Sequence, residues 1–393
     1  MLDLGTQLQG RGYSVEYFAA AHPDNLAATY EHLFPTVENY EPPPRELSRK
    51  LRAGLGMFWS RSAARSMEAV LDDFRPDIVH VHNIYHQLSP SILAPIRRRG
   101  IPIVMTLHDF KLICPTYRLH DGQGSCEACL GGGFHNAAIR RCKSGSLVSS
   151  TLLATETAVH RRFGAYDAVD RFICPSEFLR DKLIEAGFDP ARLIHIPNFT
   201  SAPLVRGARA SGGDVLSVGR LSHEKGIDTL IRACALAPAR PLRIAGDGPL
   251  SGSLRELAGE LAPDTTEFLG QIDESAVLTE IDVASVVTFP ARGYENMPLA
   301  IVEAMARSAP VIVSDIGGSP EIIADSGGGL TVPPDDPVAL RRAIDRFDDP
   351  SFAAEIGADG VRRVAERFTP TVHLEQIERL YTELTTADVA SRK

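Results

Sequence analysis

Short β-branched runs, each closed by a turn residue and separated from the next by a helical stretch, recur along almost the whole chain. In the first half they are SVEYFA, DIVHVH, IPIVMTLH and RFICPS; in the second they are DVLSVGR, LRIAGDG, TEFLG, SVVTFP, APVIVSD and GGLTVPP. Apolar runs of this kind lack the in-out alternation of a one-sided strand, so both of their faces must be buried. The helical stretches between them supply the cover. This order predicts an α/β fold, with parallel sheets carrying helices on both faces. KGIDTLIRACALA, PLAIVEAMARS and DPVALRRAIDRF read as covering helices, and TPTVHLEQIERLYTEL as a terminal one.

A chain of 393 residues with 44% hydrophobic side chains is too long for one core and rich enough to fill two. The stretch PNFTSAPLVRGARASGGD has little periodicity and much Gly, Ser, Ala and Pro, which marks a linker. The expected division is a first domain at 1–196, a linker at 197–213, a second domain at 214–370, and a helix and tail at 371–393 packing back toward the first domain. In a doubly wound sheet of order 3-2-1-4-5-6 the first strand is central. Here the opening residues carry a helical pattern and the first strand run starts near Ser14. The adopted reading is a true start upstream of Met1; a rearranged or an impaired first domain are the other two.

The 41 basic and 50 acidic side chains give a formal charge of -9. That balance argues against a general nucleic-acid binder, although it allows a local basic patch. No apolar run approaches the roughly 20 residues that cross a bilayer. MLDLGTQLQGRGYSVEYF lacks the basic start and apolar stretch of an export signal, so a cytoplasmic site is the expectation.

Four segments carry residue types suited to ligand chemistry. In RGYENMPLAIVEAMARSAP, Glu295 falls in a loop after strand run SVVTFP, where open α/β sheets place ligands. Pro298 then opens a helix in which Glu303 interrupts an apolar run. Burying that carboxylate without a partner is costly, and a ligand hydroxyl such as one on ribose would supply one. A solvent-facing or Arg-paired glutamate is the plainer alternative. The amino end of the helix, Asn296, Met297, Pro298 and Leu299, offers free N–H groups to a sugar or phosphate. In VLSVGRLSHEKGIDTL, Arg220 and Lys225 flank a loop before a helix and could neutralise a diphosphate; two surface cations are equally ordinary. LRIAGDGPL sets Gly246 and Gly248 in a tight turn that lets a ligand reach the backbone. IGGSPEII suits either an anion or sugar contact or simple helix capping.

Taken together, these segments resemble the retaining glycosyltransferases of family 4, which have the GT-B fold. The matching residues are Gly219-Arg220-Leu221 with Glu224-Lys225-Gly226, Gly246-Asp247-Gly248, Glu295 through seven residues to Glu303, then Gly317-Gly318 and Pro320-Glu321. The resemblance covers residues 4 to 385 and lacks only a Gly-rich loop and strand at the amino end. It implies two Rossmann-like, doubly wound parallel-sheet domains facing across a cleft. It further implies that Arg220 and Lys225 hold the donor diphosphate, Glu303 binds ribose, Glu295 lies near the transferred sugar, and the backbone of 296–299 contacts sugar or phosphate. His108, in TLHDF, resembles the histidine that reaches the donor sugar; a structural histidine is the plainer reading. The implied reaction is retention by attack on the face from which the nucleoside diphosphate leaves. No Asp-x-Asp motif is present, so no catalytic metal is expected. The expected donor is a UDP-sugar or GDP-mannose and the acceptor a glycan or lipid-linked glycan, in surface polysaccharide or glycoconjugate synthesis. A sugar-nucleotide epimerase and a non-catalytic scaffold are the alternatives.

Cys114, Cys126, Cys129 and Cys142 form C-x11-C-x2-C-x12-C in a Gly-rich stretch. Four thiolates around a central C-x2-C can hold a structural zinc; unligated thiols, an iron–sulfur centre or a disulfide are the other readings. Residues 45 to 66 combine Arg45, Arg49, Lys50, Arg52, Arg61 and Arg65 with Leu, Met, Phe and Trp. They fit either a helix at an anionic membrane surface or a helix packed on its own domain.

Overall fold

The structure, a computed structural model, describes residues 1–36, 54, 56–205, 213–324 and 327–391. Two all-parallel sheets organise the two halves. In the first, β1 (Val79–His82), β2 (Ile103–Thr106), β3 (Arg171–Cys174) and β4 (Leu193–His195) stand in chain order. In the second, β5 (Val215–Val218), β6 (Leu242–Ala245), β7 (Thr266–Gly270), β8 (Val286–Phe289), β9 (Val311–Ser314) and β10 (Gly329–Val332) run β10-β9-β8-β5-β6-β7. The order reverses between β5 and β8, which places a crevice at the carboxyl ends of those two strands. The chain is thus built of two Rossmann-like α/β halves that meet at a cleft, with a doubly wound order in the second.

Burial explains why the runs became strands. All four residues of β2 and of β9 are buried, as sheets covered on both faces require. Ile227–Ala235, Leu299–Ala306 and Pro337–Asp345 are helices, as their periodicity predicts.

Two strand readings need correction. SVEYFA forms no ladder: residues 13–22 have no strand assignment. Val15 still packs against one apolar cluster and Phe18 against another. The apolar pattern therefore reports burial correctly. A strand also needs a neighbour, and no described strand lies beyond β1 on that edge. Conversely, β4 was not anticipated, because three residues before Pro197 are too few to show a period.

The helix Pro370–Ser391 follows the second half in sequence but packs on the first. Leu374, Ile377, Leu380 and Leu384 meet Leu4, Leu8, Val104, Ile173 and Ile196 in one apolar cluster. Each such buried side chain is worth about 1.5–3 kcal/mol before the loss of its freedom is counted, so this return crossing is a firm tie between the halves.

Candidate active site

Two loops of the second half meet at its switch point. After β5, the turn His223–Lys225 ends at Gly226, whose φ is 64°. After β8, residues 290–297 lead into the helix Leu299–Ala306. The backbone N–H groups of Arg292 and Gly293 donate to the Glu224 carbonyl at 2.9 and 3.1 Å, so the two loops are fixed to each other. Lys225 Nζ then stands 2.6 Å from Glu295 Oε1, with side-chain exposures of 31% and 20%. A pair this accessible adds only about 0–1 kcal/mol to stability. It holds a cation and an acid at the crevice without committing the cation deeply to either. Arg220 is exposed directly after Gly219.

The helix behind Glu295 is anchored by Ile301, Val302, Ala304, Met305 and Ala306, all at 0% exposure. Glu303 sits half-buried among them. Burial, with a smaller contribution from Glu274, pushes its carboxyl above the usual range. At the amino end, Pro298 is the cap residue and Leu299 is 39% exposed. Met297 is buried in the core and its Sδ accepts the Asn198 N–H at 3.0 Å. Gly246 has a structural reason to be glycine: a Cβ there would lie 1.9 Å from the Gly219 carbonyl oxygen, between the turns that follow β5 and β6.

The first half contributes His108, two residues past β2. Asn296 connects it to the Glu295 loop. The Asn296 amide donates to the Leu107 carbonyl at 2.9 Å and accepts from Ser176 Oγ at 2.7 Å, with only 8% of the residue exposed. One side chain therefore clamps the residue after Glu295 to the residue before His108. Burial lowers the His108 imidazole to about 4, keeping it neutral. Glu321 supplies a second clamp: its carboxylate accepts the N–H groups of Glu177 and Phe178, at 2.8 and 2.6 Å, capping a helix of the opposite half. Its place in IGGSPEII suggests an anion or sugar contact or a cap on its own helix; that helix has no side-chain cap, and Glu321 caps the helix of the opposite half instead.

Other groups carry no sequence signal. Lys111 Nζ lies 2.6 Å from Glu156 Oε2 with both side chains buried, and His160 Nδ1 lies 3.1 Å from Glu156 Oε1. Burial alone would raise the Glu156 carboxyl; His160 and Lys111 outweigh it and hold the group down to about 2. This pair fixes the turn that follows His108.

Cys114, Cys126, Cys129 and Cys142 line one small cavity with Thr116, His120 and Arg140. Burial, reinforced by the neighbouring thiols, pushes Cys129 up to about 12 and Cys142 to about 11. As the side chains stand, no described group of three or more His, Cys, Asp or Glu has metal-holding geometry. The same segment reaches the loops that follow β5 and β8. Ser125 Oγ donates to the Arg292 carbonyl at 3.2 Å, Tyr294 Oη donates to Glu127 at 2.7 Å, and the His120 and His223 rings lie 5.6 Å apart. Of the basic stretch, 45–53 and 55 lie outside the described residues, as do 206–212 of the linker.

The Glycosyltransferase Family 4 model matches residues 1–202, and the Glycosyl transferases group 1 model matches residues 207–358. The chain belongs to glycosyltransferase family 4. The phosphatidyl-myo-inositol mannosyltransferase of Mycolicibacterium smegmatis is 32% identical over 202 residues, 50% of this chain and 52% of that protein. Sucrose-phosphate synthase from Thermosynechococcus elongatus superposes with a TM-score of 0.70 at 22% identity, covering 98% of this chain and 92% of that one. Anabaena HepE in complex with UDP-glucose superposes at 0.58 with 19% identity, each chain covered to 82%. These two structures support the GT-B fold. The chain spans 24% to 52% of the length of the first four curated relatives it matches.

Proposed function

We propose that the chain transfers a sugar from a nucleotide-sugar donor to a glycan or lipid-linked acceptor with retention of anomeric configuration. The observation that carries this reading is the Lys225–Glu295 pair at 2.6 Å, on a loop that Asn296 clamps beside His108. Arg220 and Lys225 take the diphosphate, Glu303 the ribose hydroxyls, Glu295 and His108 the sugar, and the Asn296–Leu299 backbone, with the turn at Gly246, the phosphate and sugar edges. The acceptor oxygen bonds to the anomeric carbon as the bond to the phosphate oxygen breaks, and the departing diphosphate takes the acceptor proton. Alignment and charge stabilisation are the protein's tasks. The first domain, 1–196, takes the acceptor; 197–213 is the linker; 214–370 takes the donor; 371–393 braces the two.

A UDP-sugar or GDP-mannose donor is favoured by analogy with the UDP-glucose complex of HepE and the mannosyltransferase named above. Incubation with UDP-, GDP- and ADP-sugars tests the reading. Release of nucleoside diphosphate that depends on an acceptor supports it, and absence of binding and turnover with every donor refutes it. Conversion of the donor without an acceptor would indicate an epimerase, while binding without any conversion would indicate a scaffold.

The four cysteines are proposed to hold one structural zinc, supported by their shared cavity. Protein purified under reducing conditions should carry one zinc per chain; less than about a tenth of an equivalent, with four titratable thiols, refutes it. Contact with the inner face of the plasma membrane through 45–66 is supported in the described part by Trp59, 48% exposed, beside the exposed Arg61 and Arg65. No described helix is long and apolar enough to cross a membrane.

A further inference from the structure

Three histidines form a column that runs from within β1 to just past the carboxyl end of β2. His80, His82, Val104 and Thr106 share one sheet face, because His80 pairs with Val104 and His82 with Thr106 in the parallel register. The His80 ring is pinned at both nitrogens: Nδ1 is 2.6 Å from Tyr381 Oη and Nε2 is 2.7 Å from Thr106 Oγ1. The His82 ring stacks on it, with centroids 4.3 Å apart and planes at 27°. His108 follows, at 5.2 Å and 22° from His82, with His82 Nδ1 2.9 Å from His108 Nε2. Tyr381 belongs to the helix that returns from the second half, so the column ties that crossing to the cleft.

Burial keeps both members of the His82–His108 pair neutral. A neutral pair bonded between these two nitrogens shares one N–H, and there are two ways to place it. If His82 donates, both rings carry the proton on Nδ1. If His108 donates, both carry it on Nε2, the tautomer that neutral imidazole side chains intrinsically favour. The second arrangement gives both rings that favoured tautomer at once.

We propose that His82 is a positioning residue for sugar transfer: by accepting the Nε2–H of His108 at its own Nδ1, it leaves His108 Nδ1 as a bare acceptor for a hydroxyl of the donor sugar. The inference rests on the reading that His108 meets that sugar. His80 acts one layer further back, fixing the His82 ring, and none of the three needs to gain or lose a proton during the reaction.

The test compares His82→Leu, His82→Asn and His108→Ala in transfer, together with ¹⁵N spectra of histidine-labelled protein in which the His108 signal is identified by its loss in His108→Ala. His82→Leu removes the acceptor and frees the His108 ring; a misplacement of this kind should slow turnover about tenfold to a hundredfold, with affinity for free UDP and GDP unchanged. His82→Asn places an amide oxygen near the position of Nδ1 and should recover most of the lost rate. The wild-type spectrum should show the His108 proton on Nε2. Wild-type turnover by His82→Leu, no recovery in His82→Asn, or a His108 proton on Nδ1 would each overturn the proposal. If His82→Leu does not fold, the wild-type spectrum and His82→Asn decide the matter. Slow His108→Ala with normal His82→Leu rejects His82 alone, whereas normal turnover by His108→Ala rejects the donor-sugar reading and His82 with it.

Discussion

Glu303 offers a perturbation whose effects on binding and on stability should have opposite signs. Its carboxylate lies half-buried on the Leu299–Ala306 helix, and its carboxyl is raised by burial and by Glu274 rather than lowered by any cation. A group whose folded value is raised contributes stability below its unfolded value and loses it as pH rises through the folded value. At neutral pH the ionised group is therefore a liability to the empty protein, and Glu303→Gln should raise Tm. That gain should shrink as pH falls through the carboxylate range, where Glu303 is protonated and resembles glutamine. Binding runs the other way. If the carboxylate accepts ribose hydroxyls, Glu303→Ala loses hydrogen bonds to a charged group worth about 1.5–3 kcal/mol, or about 10- to 150-fold in Kd. Glu303→Gln keeps one neutral acceptor and should lose less. Turnover at saturating donor should change little, because a ribose contact is similar in ground and transition states. Calorimetric titration of UDP and GDP, with thermal melts at acid and neutral pH, reads both quantities. Parental nucleotide affinity in Glu303→Ala, or a lower Tm for Glu303→Gln at neutral pH, would refute the reasoning.

Lys225→Ala should lower turnover about a hundredfold to a thousandfold, the loss typical of one charge-stabilising group, with Tm nearly unchanged because its pair with Glu295 is partly exposed; steady-state transfer and a melt check both. His108→Ala should slow transfer while leaving calorimetric affinity for the free nucleotide intact, since it stands on the half opposite Lys225 and Glu303. Lys111→Met removes the buried cation paired with Glu156, leaving His160 against the carboxylate, and should cost about 3–5 kcal/mol by denaturant unfolding. The stability that Glu156 supplies, with its carboxyl depressed to about 2, is present above the unfolded value of 4.5 and lost as pH falls between the two.

The parts of this molecule that were legible in sequence are those set by local pattern. The strands β5 to β10 could be read because β-branched runs end at Gly, Pro or Asp, and the helix behind Glu295 because Pro298 opens an apolar run. Residues Arg220, Lys225, Glu295 and Glu303 stood out through their loops and spacing, and the structure brings Lys225 and Glu295 into contact. What depends on pairing between distant segments was not legible. SVEYFA has the composition of a strand, yet laddering requires a neighbour that no local pattern specifies. Asn296 reads only as part of a helix start, and its bonds to Leu107 and Ser176 exist because the second half folds against the first. Glu156 lies on a helix among alanines and threonines, and nothing near it in sequence announces Lys111. His82 was visible only as one residue of the run DIVHVH; its meaning comes from the register that sets β1 beside β2.

The most direct test is the anomeric configuration of the product, read by proton NMR on the first sugar transferred from an α-linked nucleotide donor to an acceptor. Retention across the Lys225–Glu295 crevice predicts an α-linked product together with one nucleoside diphosphate released per bond formed. A β-linked product would contradict departure and attack on the same face, and with it the roles assigned to Arg220, Lys225 and His108.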